Sequence, residues 1–266
     1  MTTTRMPSLF LGHGSPMAAL EDTDTTRQWR ALGERLPRPR AVLSISAHWE
    51  TKGVLITAAE RPRTIHDFYG FPQALYEQQY AAPGDPALAK QVAGMLAPYG
   101  RADLDSWGYD HGTWSVLTHM YPEADIPVIQ LSMDIRLAPQ GHYQIGQALA
   151  PLRDQGVLIM GTGNIVHNLR LYDRRPNTPA LPWAQRFTDT VKAKVQANDH
   201  AALIDYATLD PEVHLAFPEP EHFHPLLYVL GTQQPGERTE FVTDEVFSSI
   251  SMTSVLVGAE PLKAAA

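Results

Sequence analysis

Apolar residues along the chain follow two rhythms. Short β-rich runs occupy 8–11, 41–47, 54–58, 127–131, 157–161, 241–243 and 250–257. Some, such as Val157-Leu158-Ile159-Met160, are unbroken, as expected of strands covered on both faces. Between them the spacing is helical. Leu88, Val92, Met95 and Leu96 fall at i, i+4, i+7 and i+8, and Ile145, Ala148, Leu149 and Leu152 at i, i+3, i+4 and i+7. Phe187, Val191 and Val195 lie four apart in a predicted helix over 183–197. Strands alternating with amphipathic helices predict the α/β class: a single domain with a central mixed, mainly parallel sheet flanked by helices. That domain is expected to span 1–266, with the termini 1–6 and 259–266 flexible. Segment 61–85 follows neither rhythm; it is rich in aromatics, proline and glycine. A stretch of that length inside a compact domain is expected to form a pocket wall.

Composition narrows the function. Of the 266 residues 44% are hydrophobic, enough for a sizeable core and too many for a disordered chain. Lys and Arg number 21 against 29 Asp and Glu, a formal charge of −8 without any basic block. That balance argues against nucleic-acid and anionic-membrane partners. No apolar run approaches the ~20 residues of a spanning helix, and the polar, proline-broken start does not read as a signal peptide. A cytoplasmic enzyme is expected, as monomer or homodimer. Cysteine is absent, which excludes disulfides, thiolate metal sites and a cysteine nucleophile. Any metal must be held by nitrogen and oxygen, and there are 11 histidines to do it.

Three of those histidines, His13, His48 and His167, follow apolar strands closely. Ligand crevices of open α/β sheets lie beyond the carboxyl ends of the strands, so parallel strands would bring the three imidazoles to one edge. A single histidine after a strand is ordinarily a hydrogen-bonded loop residue. Three together depart from that, and glycines flank them: Gly12 and Gly14 around His13, Gly161 and Gly163 before Asn164. Asp110 precedes His111, a candidate oriented acid/base, although adjacent side chains often point apart. His222 and His224 lie two apart before the apolar run 226–230, and one is expected to be a ligand and the other a bystander. His66 lies in the aromatic segment and is placed to touch a substrate, whereas His119, His142, His200 and His214 read as surface or core residues.

Other motif searches are negative. Gly161-Thr162-Gly163 lacks the third glycine of a dinucleotide loop, and there is no Gly-x-Ser-x-Gly elbow, phosphate-binding loop or His-Glu-x-x-His. Imidazoles without thiolates suit iron, zinc, copper or nickel. Three histidines with an open position suit zinc, and two with a carboxylate suit ferrous iron. Phe68, Tyr69, Phe71, Trp49, Trp107, Tyr109 and Trp114 lie in the same candidate loops, pointing to a flat aromatic ligand. From the residues alone, the reading ends at a mononuclear metal site near aromatics.

Five ordered motifs carry it further: Gly12-His13-Gly14-Ser15-Pro16, Ser46-Ala47-His48-Trp49, Thr64-Ile65-His66-Asp67-Phe68, Trp107-Gly108-Tyr109-Asp110-His111-Gly112 and Asn164-Ile165-Val166-His167-Asn168. Together they resemble the class III extradiol ring-cleavage dioxygenases, more narrowly the 4,5-DOPA dioxygenase branch, related to the catalytic subunit of protocatechuate 4,5-dioxygenase. The resemblance runs from about residue 7 to about residue 258. It implies metal ligation by His13, His48 and His222, with His167 a fourth ligand or an acid/base. His111 would be a second acid/base, and Ser15, His66 and Phe68 would line the catechol pocket. Protocatechuate-type members place a glutamate where this chain has His222, and adjacent Glu221 is expected to face elsewhere. The resemblance implies O₂ and a catechol such as L-DOPA as substrates. It also implies Fe²⁺ for the oxygen chemistry, with Zn²⁺ the metal expected to be found bound. Two rival readings use the same cleft: a zinc-dependent hydrolase and a non-catalytic, Memo-like binding protein.

Overall fold

A computed structural model describes residues 5–103, 106–175 and 178–258. The strands are β1 (Ser8–Gly12), β2 (Ala41–Thr51), β3 (Val54–Thr57), β4 (Gly100–Asp103), β5 (Val128–Asp134), β6 (Val157–Gly163), β7 (Thr239–Phe241), β8 (Val246–Phe247), β9 (Ile250–Ser251) and β10 (Val255–Val257). Eight of them form one sheet in the order β4-β3-β5-β2-β6-β1-β10-β7, and β8 and β9 form a separate hairpin. Strands β5, β2, β6 and β1 at its centre run parallel. Antiparallel β10 and β7 close one side, while β3 pairs antiparallel with β5 and parallel with β4 on the other. This is the mixed, mainly parallel α/β domain that the sequence predicts.

Burial on both faces explains the unbroken apolar runs. Leu9, Leu11, Val42, Leu158 and Met160 pack with Trp29, Trp114 and Leu117 from the helices Asp24–Arg35 and His111–Met120. The alternate residues Leu43, Ile45, Val157 and Ile159 pack with Leu88 and Val92 of Pro86–Met95, Leu149 of Pro139–Leu149 and Tyr228 of His224–Gly231. Phe187, Val191 and Val195 are buried on the helix Pro182–Gln196, as their spacing predicts.

Several expectations need correction. The run 250–257 is not one strand: β9 and β10 are separated at Met252, Thr253 and Ser254. There the Ser254 hydroxyl accepts from the Gly12 amide and donates to the Met252 carbonyl, so side chains displace the ladder. The stripe through Leu152 is interrupted, because the helix ends at Leu149, Ala148 is exposed, and Pro151 lies in a 3₁₀ turn, Ala150–Gln155. The strand expected at 241–243 lies at Thr239–Phe241. At the amino terminus, expected to be flexible over 1–6, Met6 is instead buried and exchanges hydrogen bonds with Arg153. Residues 1–4 and 259–266 lie outside the described residues.

Two local features position the site. Between Ile45 and Glu50 the register of β2 against β5 slips, a bulge of the kind that re-aims side chains at sheet ends, and His48 lies in it. Gly163 at the end of β6 lets the turn carrying His222 come within hydrogen-bond reach: the Asn164 amide donates to the His222 carbonyl at 2.9 Å. A Cβ at position 163 would lie 2.1 Å from that oxygen.

Candidate metal centre

His13 follows β1, His48 lies in the bulge of β2, and His222 ends the 3₁₀ turn Pro220–His222. One ring nitrogen from each of the three falls within 4.8 Å of the others. His13 and His48 face each other through Nε2 at 2.9 Å, and the His13 and His222 rings are 5.4 Å apart. His13 and His222 are buried and His48 is half-buried. Burial, with the neighbouring imidazoles next in weight, holds all three well below the ordinary histidine range, so they are neutral, the form a metal requires.

His222 Nε2 is buried without any hydrogen-bond partner, while its Nδ1 is hydrogen-bonded with Glu221 Oε1 at 2.9 Å. An imidazole braced by a carboxylate on one nitrogen and bare on the other is the arrangement of a metal-ligating histidine. The residues present therefore fit a divalent cation.

Two further imidazoles complete the cluster. His111 opens the helix His111–Met120, its ring 4.0 Å from that of His48. His167 lies after β6 and stacks on His222 with centroids 3.5 Å apart, burial pushing it down to about 4. It groups with Glu221 and His222, not with the trio of His13, His48 and His222.

The carboxylates are the least legible part. Asp110 does not orient the His111 ring; it is the helix cap, accepting from the Thr113 amide at 3.2 Å and held by Ser46 at 2.7 Å and Gln130 at 2.8 Å. The partner of His111 Nδ1 is Asp67 Oδ2, at 2.9 Å and 44 residues away in sequence. Burial opposes ionisation of Asp67, but its hydrogen bonds to the side chain and backbone of His111 outweigh that and hold Asp67 at about 2. Nor does Glu221 face elsewhere, since it bends back onto His222. Burial and nearby Glu50 and Glu219 push Glu221 up to about 7.

Segment 61–85 packs against the cluster through an aromatic side chain. The Phe68 ring lies 5.8 Å from His111, 5.3 Å from Phe71 and 6.2 Å from Trp114. His66 sits behind it, 5.7 Å from Phe68, its Nε2 on the Gln78 carbonyl at 3.0 Å. Ser15 is exposed and caps a 3₁₀ turn by accepting from the Met17 amide. Of the 222/224 pair, His224 turns away, stacked 4.2 Å from His142 and bonded to Tyr206.

Residues 7–258 match the family described as the catalytic LigB subunit of aromatic ring-opening dioxygenase. The chain belongs to this family. It is 48% identical to the 4,5-DOPA dioxygenase extradiol of Escherichia coli (strain K12), over 97% of each chain. To the protein of that name in Beta vulgaris it is 38% identical, over 88% of this chain and 90% of that one. A crystal structure of an uncharacterized protein from Escherichia coli K12 superposes with a TM-score of 0.84 at 42% identity, covering 96% of this chain and all of the other. As a family member, the chain is an extradiol dioxygenase whose histidines are consistent with a metal site. Among the described residues no helix is long and apolar enough to cross a membrane.

Proposed function

We propose that this enzyme opens the ring of a catechol beside its two hydroxyls, with O₂ as co-substrate and L-DOPA as the first candidate. The observation that carries the reading is the convergence of His13, His48 and His222, with His222 Nε2 buried and unpartnered. The names of the relatives support the substrate. These three histidines would hold the metal. Ferrous iron is the metal proposed for turnover, because it exchanges electrons with oxygen and zinc does not. Zinc remains compatible with the same three donors and is the ion expected to occupy the site when iron is not supplied.

The chain's own residues supply binding and proton movement. His111 is the base for a catechol hydroxyl: its Nδ1 is committed to Asp67, leaving Nε2 to accept a proton. His167, stacked on His222 and held neutral by burial, would serve as the second proton-transfer group, an acid/base rather than a fourth ligand. Positioned imidazoles of this kind are worth about 10²–10⁴-fold. Phe68 presents the ring that faces the catechol, with His66 behind it and Ser15, two residues beyond His13, completing the pocket. A neighbourhood lined by Phe68, Phe71 and Trp114 excludes water and favours a flat substrate.

The test is reconstitution of metal-free protein under anaerobic conditions with Fe²⁺ or Zn²⁺, followed by oxygen uptake with L-DOPA and with protocatechuate. Iron-dependent uptake with a yellow ring-opened product is expected, and the zinc form is expected to be inert. No uptake by the iron form with any catechol overturns the proposal. A zinc hydrolase on the same trio would instead turn over without oxygen.

A further inference from the structure

Asp67 makes more contacts with the histidine cluster than any other carboxylate described. Its Oδ1 accepts the backbone N–H of His111 at 2.9 Å, and its Oδ2 accepts from His111 Nδ1 at 2.9 Å. The same Oδ2 lies 3.5 Å from Nδ1 of His48, an electrostatic contact longer than a hydrogen bond. One oxygen thus stands behind a candidate base and a candidate ligand at once. The side chain is 14% exposed, so little water competes for these contacts.

We propose that Asp67 is a positioning residue that sets the tautomer of His111, and through the shared oxygen orients His48; this rests on the function proposed above. A carboxylate only accepts, so the nitrogen facing it must carry the ring proton. Neutral His111 is therefore Nδ1–H, and Nε2 presents its lone pair. Among the described residues no protein group bonds Nε2, so it is available to take a proton from substrate. Asp67 itself touches no reacting atom. The second contact works in the same sense on His48: Nδ1–H toward Asp67 leaves Nε2 bare where it meets His13.

Asp67→Asn separates this role from packing. The amide is the same shape, but it has one acceptor where the carboxylate has two. The fixed donor is the His111 backbone N–H, so the amide oxygen stays there and the amide N–H₂ confronts Nδ1. Two donors cannot face each other, and the ring proton moves to Nε2. His111 then offers a proton where it should receive one. The comparable change behind an oriented histidine elsewhere costs about 10⁴-fold, and about 10²–10⁴-fold is expected here.

The experiment pairs two readouts. Oxygen uptake by the Asp67→Asn protein at saturating iron is expected to fall by that factor, with metal affinity about 10–100-fold weaker through the lost contact to His48 and the thermal midpoint of the metal-free protein close to wild type. Independently, ¹⁵N–¹H correlation spectra of zinc-loaded, histidine-labelled protein report the tautomer without turnover: Nδ1–H for His111 in wild type, Nε2–H in the variant. A wild-type His111 with bare Nδ1 overturns the proposal even if the variant does not fold. So does a variant that keeps turnover within a few-fold of wild type. Should wild-type protein take up no oxygen with any catechol while the spectra show Nδ1–H, the reaction assignment fails and the tautomer assignment stands.

Discussion

Gly163 offers a direct test of how the site is assembled. It has no catalytic group, yet a Cβ there would lie 2.1 Å from the His222 carbonyl oxygen and 3.0 Å from its carbon. That is about 1.3 Å short of ordinary van der Waals contact, and the obstruction is backbone on both sides. Gly163→Ala must therefore push the turn Pro220–His222 away from β6 by roughly 1 Å. The 2.9 Å bond from the Asn164 amide to the His222 carbonyl goes with it, at about 1 kcal/mol. Overpacking adds about 1–3 kcal/mol. Against a typical stability of about 5–15 kcal/mol, the chain still folds.

The site suffers more than the fold, since a displacement of about 1 Å costs on the order of 10²-fold when geometry sets the rate. The variant is expected to be modestly destabilised in urea, to retain little metal after dialysis, and to lose about 10²-fold in kcat/KM. Gly94 is the control. It lies in the helix Pro86–Met95, where an added methyl would meet nothing within 4 Å, so Gly94→Ala should gain about 0.5–1 kcal/mol and leave turnover alone. If Gly163→Ala binds metal as tightly as wild type and turns over at the same rate, the close approach of β6 to the His222 turn does not assemble the site.

Metal should stabilise the chain by mass action: Zn²⁺ at about 1,000 times Kd adds about 4 kcal/mol, a rise in Tm of about 8–16 °C at this chain length. His13→Ala should abolish that rise while the metal-free protein stays folded, and an undiminished rise in the variant would remove His13 from the ligand set. Arg153 is wholly buried and bonds the Met6 and Thr232 carbonyls and both Glu237 oxygens; Arg153→Met should cost about 3–5 kcal/mol in urea unfolding, and a loss under about 1 kcal/mol would refute that account. Burial holds His142 down to about 4, whereas an unfolded histidine titrates near 6.5. Below pH 6.5 the unfolded chain takes up that proton first, so stability falls from about pH 6.5 to about 4 and then levels. In metal-free protein, where His13, His48, His222 and His167 contribute in the same sense, His142→Gln should remove one proton's share of this slope, and an unchanged slope from urea midpoints would count against it.

The parts of the molecule that are legible from sequence are those in which local pattern and tertiary burial agree. Strands β1, β2 and β6 are buried on both faces, so their apolar runs reveal the sheet, and with them come His13, just past β1, and His48, inside the bulge of β2. The helix Asp24–Arg35 escapes the pattern because its apolar face is thin: only Trp29 and Leu32 among its larger side chains are buried. Strand β4 escapes it because Gly100-Arg101-Ala102-Asp103 has no apolar alternation, and it pairs at the edge of the sheet. Asp67 stands inside a recognisable motif without any sign of its role. Its partner is on another element 44 residues away, and no periodicity reports such a contact. Adjacency misleads in both directions, suggesting Asp110 for His111 and discounting Glu221 for His222. Whether neighbours touch depends on backbone direction at that step: Asp110 is extended as a helix cap, while Glu221 and His222 share one tight turn.

The two carboxylates also change what the all-histidine trio implies about charge. As the proposed donors, His13, His48 and His222 would contribute no negative charge, which by identity alone resembles a zinc site. Counted one bond further out, Glu221 bonds the outer nitrogen of His222 and Asp67 lies 3.5 Å from the outer nitrogen of His48. Each raises the basicity of the imidazole in front of it, and Asp67, held at about 2, is anionic throughout the working range. The compensation that a ligating carboxylate provides in a two-histidine site is here moved behind the ring. The charge that a cation would meet there comes from Asp67 throughout, and from Glu221, pushed up to about 7, only where it is ionised; neither needs to touch the cation.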